Sequence, residues 1–201
     1  EVVKRIKEKM ITIQTSLPED VIIEAYLDRT DLVKRAISTV EKNLIEGALI
    51  VIFVLVLFLG NLRAGLIVAS AIPLSMLFAL GLMNVFGVSA NLMSLGAIDF
   101  GLIVDGAVII VEATLHHLGL RKSTHKLSQS QMDNEVFQSA SKIRSSAAFG
   151  EIIILIVYIP ILSLIGIEGK MFKPMAMTVS FAIFGALILS LTYIPMMCAL
   201  I

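Results

Sequence analysis

Residues 91–112, NLMSLGAIDFGLIVDGAVIIVE, are apolar enough to enter a bilayer and yet carry Asp99, Asp105 and Glu112. Eleven Leu, Ile, Val and Phe residues contribute about −0.3 to −0.6 kcal/mol each on the insertion scale, roughly −3 to −7 kcal/mol together. The two central aspartates cost about +2.5 to +3.5 kcal/mol each, roughly +5 to +7 kcal/mol. The balance is near zero. Such a helix gains little from facing lipid, so it is expected inside a bundle with its acids against polar partners or water. Acids retained at that cost usually serve ion or proton movement.

The rest of the 201 residues agrees with a membrane setting: 57% are hydrophobic and 16% charged, where a soluble domain carries about 25% charged residues. The expected fold is mostly α, a polytopic transmembrane helix bundle of five spans with a short α/β segment at the N-terminus. A net charge of zero gives no electrostatic footprint for nucleic acid. The lone Cys198 sits in an apolar run, reads as a small buried hydrophobe, and cannot form an intrachain disulfide. The chain starts with Glu in a polar stretch that has no signal-peptide pattern. It reads as a fragment of a longer protein.

Residues 1–16 space Val2, Ile6, Met10 and Ile13 as an amphipathic helix. Residues 17–20 read as a turn and VIIEAYL, 21–27, as a short strand. Residues 1–30 are thus expected to be the end of a water-exposed α/β domain rather than a disordered arm. Thr30 is a candidate N-cap with Asp31 behind it. Leu32, Val33, Ala36, Ile37, Val40 and Leu44 then form one stripe. No breaker follows, so one helix is expected to run on and enter the membrane near residue 43, with Glu46 at the interface.

Spans are expected at about 43–60, 64–83, 91–113, 147–166 and 175–201, with Pro73, Pro160 and Pro195 inside three of them. Between the third and fourth, 114–146 is polar, and Met132, Val136, Phe137, Ala140 and Ile143 suit a helix lying on the membrane surface. IGIEGKMFKP, 165–174, reads as a charged turn. Arg63 and the five basic residues Arg121, Lys122, Lys126, Lys142 and Arg144 fall on one side, against Lys170 and Lys173 on the other. The positive-inside rule then places loop 114–146 in the cytoplasm. The eight Lys and Arg before residue 43 point the other way, but a folded external domain is weakly bound by that rule.

At 100° per residue, Asp105 and Glu112 nearly share a face while Asp99 lies about 120° from Asp105. Gly96, Gly101 and Gly106, with Ala97 and Ala107, are expected to let other helices approach closely. Glu112 and His116 form an i,i+4 pair able to hold a metal. No third ligand stands at suitable spacing, so His116 and His117 read as a solvated loop and no metal site is expected. Met76, Met83, Met171 and Met175 read as packing residues rather than a soft-metal path.

AIDFGLIVDGAVIIVE resembles the fourth-span signature of the heavy-metal efflux branch of the resistance–nodulation–division (RND) superfamily. DRTDLVKRAISTVEKNLIEGALIV, FLGNLRAGLIVASAIPLSMLFALGLMNVFGVSANLMSLG, GIEGKMFKPMAMT and LTYIPMMCAL resemble its flanking segments. The resemblance implies the end of a first periplasmic porter region (1–30) followed by the second to sixth spans of a twelve-span inner-membrane pump. It implies proton-driven metal export, with Asp105 as central proton carrier and Asp99 and Glu112 as supporting relay groups. The likeness further implies a cationic lysine from a second half of the pump, a homotrimer, a periplasmic adaptor and an outer-membrane channel. The DFG element, and Ile103 and Ile110 where copper and silver relatives carry methionines, favour divalent cations. Ala113 departs from the family, which usually has Asn there, and weakens the role of Glu112.

Two other readings stand beside transport. Asp99 and Asp105 as paired acids in lipid raise an intramembrane aspartyl hydrolase, but a shared-proton dyad needs facing carboxylates, and 120° of separation turns these apart. An inactive piece with only a structural role is the other, since half a pump cannot alternate access alone. Nothing reads as a nucleotide loop, redox centre or cofactor site.

Overall fold

The computed structural model describes residues 2–18, 21–23, 30–89, 92–120 and 129–200. They form α1 (Val2–Gln14), α2 (Thr30–Leu59), α3 (Leu62–Phe86), α4 (Leu92–Gly96), α5 (Phe100–Leu120), α6 (Gln129–Leu162), α7 (Gly166–Leu191) and α8 (Tyr193–Ala199). No strand occurs among the described residues. The chain divides into two units, Glu1–Glu41 and Lys42–Ile201.

In the first unit α1 ends on Gln14, whose side-chain amide serves the segment that follows. Gln14 Nε2 donates to Val21 O at 2.6 Å, and Ile23 N–H donates to Gln14 Oε1 at 2.6 Å. One side chain thus satisfies a backbone acceptor and a backbone donor two residues apart. Residues 21–23 are not a strand; the remainder of the expected strand, 24–27, lies outside the described residues.

The second unit is a helix bundle whose stretches Val33–Leu59, Leu62–Phe86, Phe100–Gly119, Gln129–Leu162 and Gly166–Ala199 are long and apolar enough to cross a membrane. Turn chemistry sets the first boundaries. Gly60 takes the left-handed φ of 61° that ends α2, and Asn61 caps α3 by accepting from Arg63 N–H at 3.0 Å. At the far end Gly87 (φ 64°) closes α3. Val88 N–H bonds Met83 O at 2.9 Å and Gly87 N–H bonds Asn84 O at 3.4 Å, the paired pattern that satisfies a helix's last carbonyls.

Three expected boundaries are corrected. The stretch 91–113 is not one helix: α4 stops at Gly96 and α5 starts at Phe100. The surface helix of 114–146 and the span at 147–166 are one helix, α6. Ser145 to Phe149 contain no breaker, and Val136, Ser139, Ala140, Ala147 and Glu151 make one continuous buried stripe. The charged turn at 165–174 is helical: α7 starts at Gly166 (φ 77°) and runs through Pro174. Glu168 in its first turn suits the positive end of the helix dipole. The chain breaks instead at Thr192, whose C-terminal neighbour α8 contains Pro195. That proline lacks the N–H that would bond Leu191 O and its ring crowds that carbonyl.

Helix α5 packs against α3, α6, α7 and α8, and α3 packs along α7. The core contains Val68, Ile72, Ile103, Ala107, Ile110, Val111, Ala182, Ala186 and Ile194. Cys198 is buried among these apolar residues, and Met83 is buried beside the Thr178 hydroxyl at 3.5 Å. At Gly185 α7 packs directly on Phe78 of α3. A Cβ there would lie 2.7 Å from Phe78 Cδ1 and 3.2 Å from Phe78 Cβ, and the ring is held against Phe184 with centroids 6.2 Å apart. Gly185→Ala is therefore expected to lower stability by about 1–3 kcal/mol through overpacking, seen as an earlier midpoint when the detergent-solubilised protein is heated. An unchanged midpoint would show that α3 and α7 separate freely.

Candidate functional site

The acids of the opening stretch occupy different settings. Asp99 stands immediately before α5, its Oδ1 accepting from Gly101 N–H at 2.8 Å. This is the N-cap arrangement, worth about 1 kcal/mol, with a negative charge at the positive end of the helix. Because Asp99 precedes the helix, the 120° relation to Asp105 on a single helix does not hold.

Asp105 and Glu112 lie within α5, and both are exposed. They share an uncovered stripe with Ile109 and His116, at spacings of four, three and four residues. The far side of the helix is covered: Ile103, Val104, Gly106, Ala107, Ile110, Val111 and Thr114 are buried, with Leu102, Val108 and Leu115 half-buried between. The expectation that the acids sit inside this bundle is corrected. They line the one face of α5 that α3, α6, α7 and α8 leave open. Ile103 and Ile110 face the core and not the acid stripe.

The three glycines differ. Nothing lies within 4 Å of a Cβ built on Gly96, and at Gly101 only the carboxylate of Asp99 does. Neither marks a helix crossing among the described residues. Gly106 does: a Cβ there would run into Glu151 Oε1 of α6, with Ser190 Oγ of α7 at 3.2 Å.

Glu151 is the residue that sequence reading missed. It is 2% exposed, and no described protein group hydrogen-bonds either carboxyl oxygen. The hydroxyl of Ser190 stands beside it but donates to Leu187 O at 2.9 Å. The available signal was Glu151 falling on the same helical stripe as Val136, Ala140 and Ala147.

At the other end of α5 the histidines belong to the helix and not to a loop, since α5 extends to Leu120. His117 Nε2 lies 2.9 Å from Glu135 Oε2 of α6. His116 and Glu112 line an open cleft with Phe58, Leu59, Ile109, Ala113, Leu115 and Ile143. No group of three His, Cys, Asp or Glu among the described residues is arranged to hold a metal ion. Lys42 Nζ and Glu46 Oε1, 3.7 Å apart and exposed, form an ion pair of the kind that contributes little.

Known proteins resemble the chain throughout. The model of the AcrB/AcrD/AcrF family matches residues 1–201. The cobalt-zinc-cadmium resistance protein CzcA of Cupriavidus metallidurans is 52% identical over 177 residues, 87% of this chain and 17% of that protein. The nickel and cobalt resistance protein CnrA of the same organism is 46% identical over 179 residues, 88% of this chain and 17% of that protein. The cation efflux system protein CusA of Escherichia coli is 36% identical over 185 residues, 89% of this chain and 18% of that protein. A crystal structure of a heavy metal efflux pump superposes with a TM-score of 0.81 at 42% identity, covering 96% of this chain and 18% of that one. The chain therefore spans about a sixth of the length of the relatives it matches. None of these supports the aspartyl-hydrolase reading. With five stretches among the described residues long and apolar enough to cross a membrane and this kinship it is a multi-pass inner-membrane protein, and the chain belongs to the AcrB/AcrD/AcrF family, in the heavy-metal efflux branch of the RND superfamily.

Proposed function

We propose that this chain works as one part of a proton-driven exporter of divalent heavy-metal cations and carries its proton-relay helix, α5. One observation carries the reading: Asp105 and Glu112 lie on the exposed stripe of a helix whose other faces are buried or half-buried. An acid at that depth is costly against lipid. The stripe is therefore the surface on which the second half of the pump, with its lysine, would dock. Asp105 binds and releases the transported proton, with Asp99 at the helix entrance and Glu112 about two turns beyond Asp105 as supporting groups.

Each protonation changes the charge that the facing helices must accommodate, and that difference biases a two-state packing between the halves. Divalent cations are favoured because the relatives named for cobalt, zinc, cadmium and nickel resistance are 46–52% identical. In this reading residues 1–30 are the end of a periplasmic porter subdomain and 114–146 face the cytoplasm. The assembly is a homotrimer bound to a periplasmic adaptor and an outer-membrane channel.

The test is transport by the full-length protein in liposomes. Zn²⁺ or Co²⁺ is expected to move against its gradient only while a pH gradient is imposed, and faster than Cu⁺ or Ag⁺. Metal movement indifferent to the pH gradient would remove the proton-coupled reading. Faster movement of the monovalent ions would remove the divalent preference.

A further inference from the structure

Glu151 approaches α5 at Gly106, about 100° round the helix from Asp105 and beside the exposed stripe. Its carboxyl group is enclosed where α5, α6 and α7 meet, against the backbone of Gly106, the residue that follows Asp105. An ionised carboxylate there would offer only acceptors to a site where the nearby donors, the Ser190 hydroxyl and the Gly106 backbone, make no well-formed hydrogen bond to it, and burying a charge so poorly paired costs several kcal/mol. A neutral acid fits better. Ser190 has already committed its hydrogen to Leu187 O, so its oxygen can accept from a carboxyl O–H beside it.

The groups facing Glu151 from the elements packed on α6 are few. From α5 comes Asp105. From α7 comes Ser190, since Glu168, Lys170 and Lys173 lie at the other end of that helix, Lys173 being about 25 Å from Ser190 along its axis. Helix α8 holds Tyr193 and Cys198, and the Tyr193 hydroxyl lies 3.1 Å from that of Ser70 of α3. On α6 itself Arg144 and Tyr158 are each two turns away, about 10 Å along the axis. No cation is seated on the carboxyl among the described residues, and the nearest acid is the proposed proton carrier.

We propose that Glu151 is an additional proton-binding residue of the transporter, holding a proton in the Gly106–Ser190 niche when Asp105 is ionised. Two carboxylates on neighbouring faces of one helix turn in an apolar bundle resist being charged together. A proton entering at Asp105 thereby weakens the hold on the proton at Glu151, and the two acids titrate as a coupled pair. The inference rests on the relay reading of Asp105 and adds a second binding group inside this half of the pump.

The experiment measures the pH dependence of Zn²⁺ export by the full-length protein in liposomes. Wild type is compared with Glu151→Gln, Glu151→Asp and Asp105→Asn. Glu151→Gln keeps the size of the side chain and removes its proton, so the midpoint of the pH profile is expected to move by about 1 pH unit, the scale of coupled sites. Glu151→Asp is expected to keep a titrating group and remain nearer wild type. The acid-induced carboxyl band in infrared difference spectra should lose a component in Glu151→Gln. Where Glu151→Gln does not fold, Glu151→Met, of similar size with no unpaired polar atom to bury, takes its place.

A wild-type pH profile and an intact band in the neutral variant would overturn the proposal, leaving Glu151 a structural acid. If those results come with abolished export in Asp105→Asn, only the role of Glu151 falls. If Asp105→Asn also exports normally, the relay reading itself fails.

Discussion

Asp105→Asn in the full-length protein is expected to abolish proton-driven metal export, lowering it about 100-fold or more, the scale on which a single positioned proton-transfer group acts. The substitution keeps the shape of the side chain and deletes only its capacity to take up H⁺. Asp105 is exposed on α5, and no hydrogen bond or ion pair within the described residues is lost with it. The α3–α5–α6–α7 core should therefore form as before, and removing a charge from an apolar span lowers its insertion cost. A transport defect without a loss of assembled protein would be the signature of a functional acid. Asp105→Glu, which retains the acid at a different reach, is expected to keep partial export. Proton uptake and metal export measured in the same vesicles check both; unchanged values in Asp105→Asn would end the assignment.

The extent of α3 is largely legible in the sequence. The charge-free run of 64–98 is too long for one span, and the expected span of 64–83 comes within a few residues of Leu62–Phe86, which Gly87 closes with a left-handed φ. The break before α5 was not legible in the same way. Asp99 looks identical as an intramembrane acid and as an N-cap, and only its bond to Gly101 N–H separates the two. The boundaries of α6 and α7 are not legible in this way, because charge marks the end of an apolar segment and not of a helix, and both helices run past the apolar segment without a break.

The same continuity hides Glu151. A span starting at 147 puts Glu151 near its start, but on a helix beginning at Gln129 it lies about 33 Å along the axis. Which stripe of α5 would be left open was equally beyond reach. The 3.6-residue period puts Asp105, Ile109, Glu112 and His116 in line, but covering the other stripes takes four other helices whose positions no single-helix pattern encodes.

Gly106→Leu is expected to be the most disruptive single change at a helix crossing in the bundle. Its Cβ alone collides with Glu151 Oε1 and comes within 2.8 Å of Glu151 Cδ, with Ser190 Oγ at 3.2 Å. Three helices meet at this point, so a larger side chain must force α5 away from α6 and α7 or drive the carboxyl out of its niche. Overpacking of a core costs about 1–3 kcal/mol, and the full-length protein is expected to lose its monodisperse peak in detergent together with its export. Gly106→Ala tests the same contact more gently, because the carboxyl is the mobile end of a side chain and can be displaced. Combining Gly106→Ala with Glu151→Ala empties the niche that the new methyl enters, so assembly should recover, with a coupling energy of about 0.5–3 kcal/mol between the two sites. Recovery of assembly without recovery of the wild-type pH profile would separate the two duties of the contact, packing and proton binding. A double variant no better assembled than Gly106→Ala alone would mean that Glu151 is not what excludes a side chain at position 106.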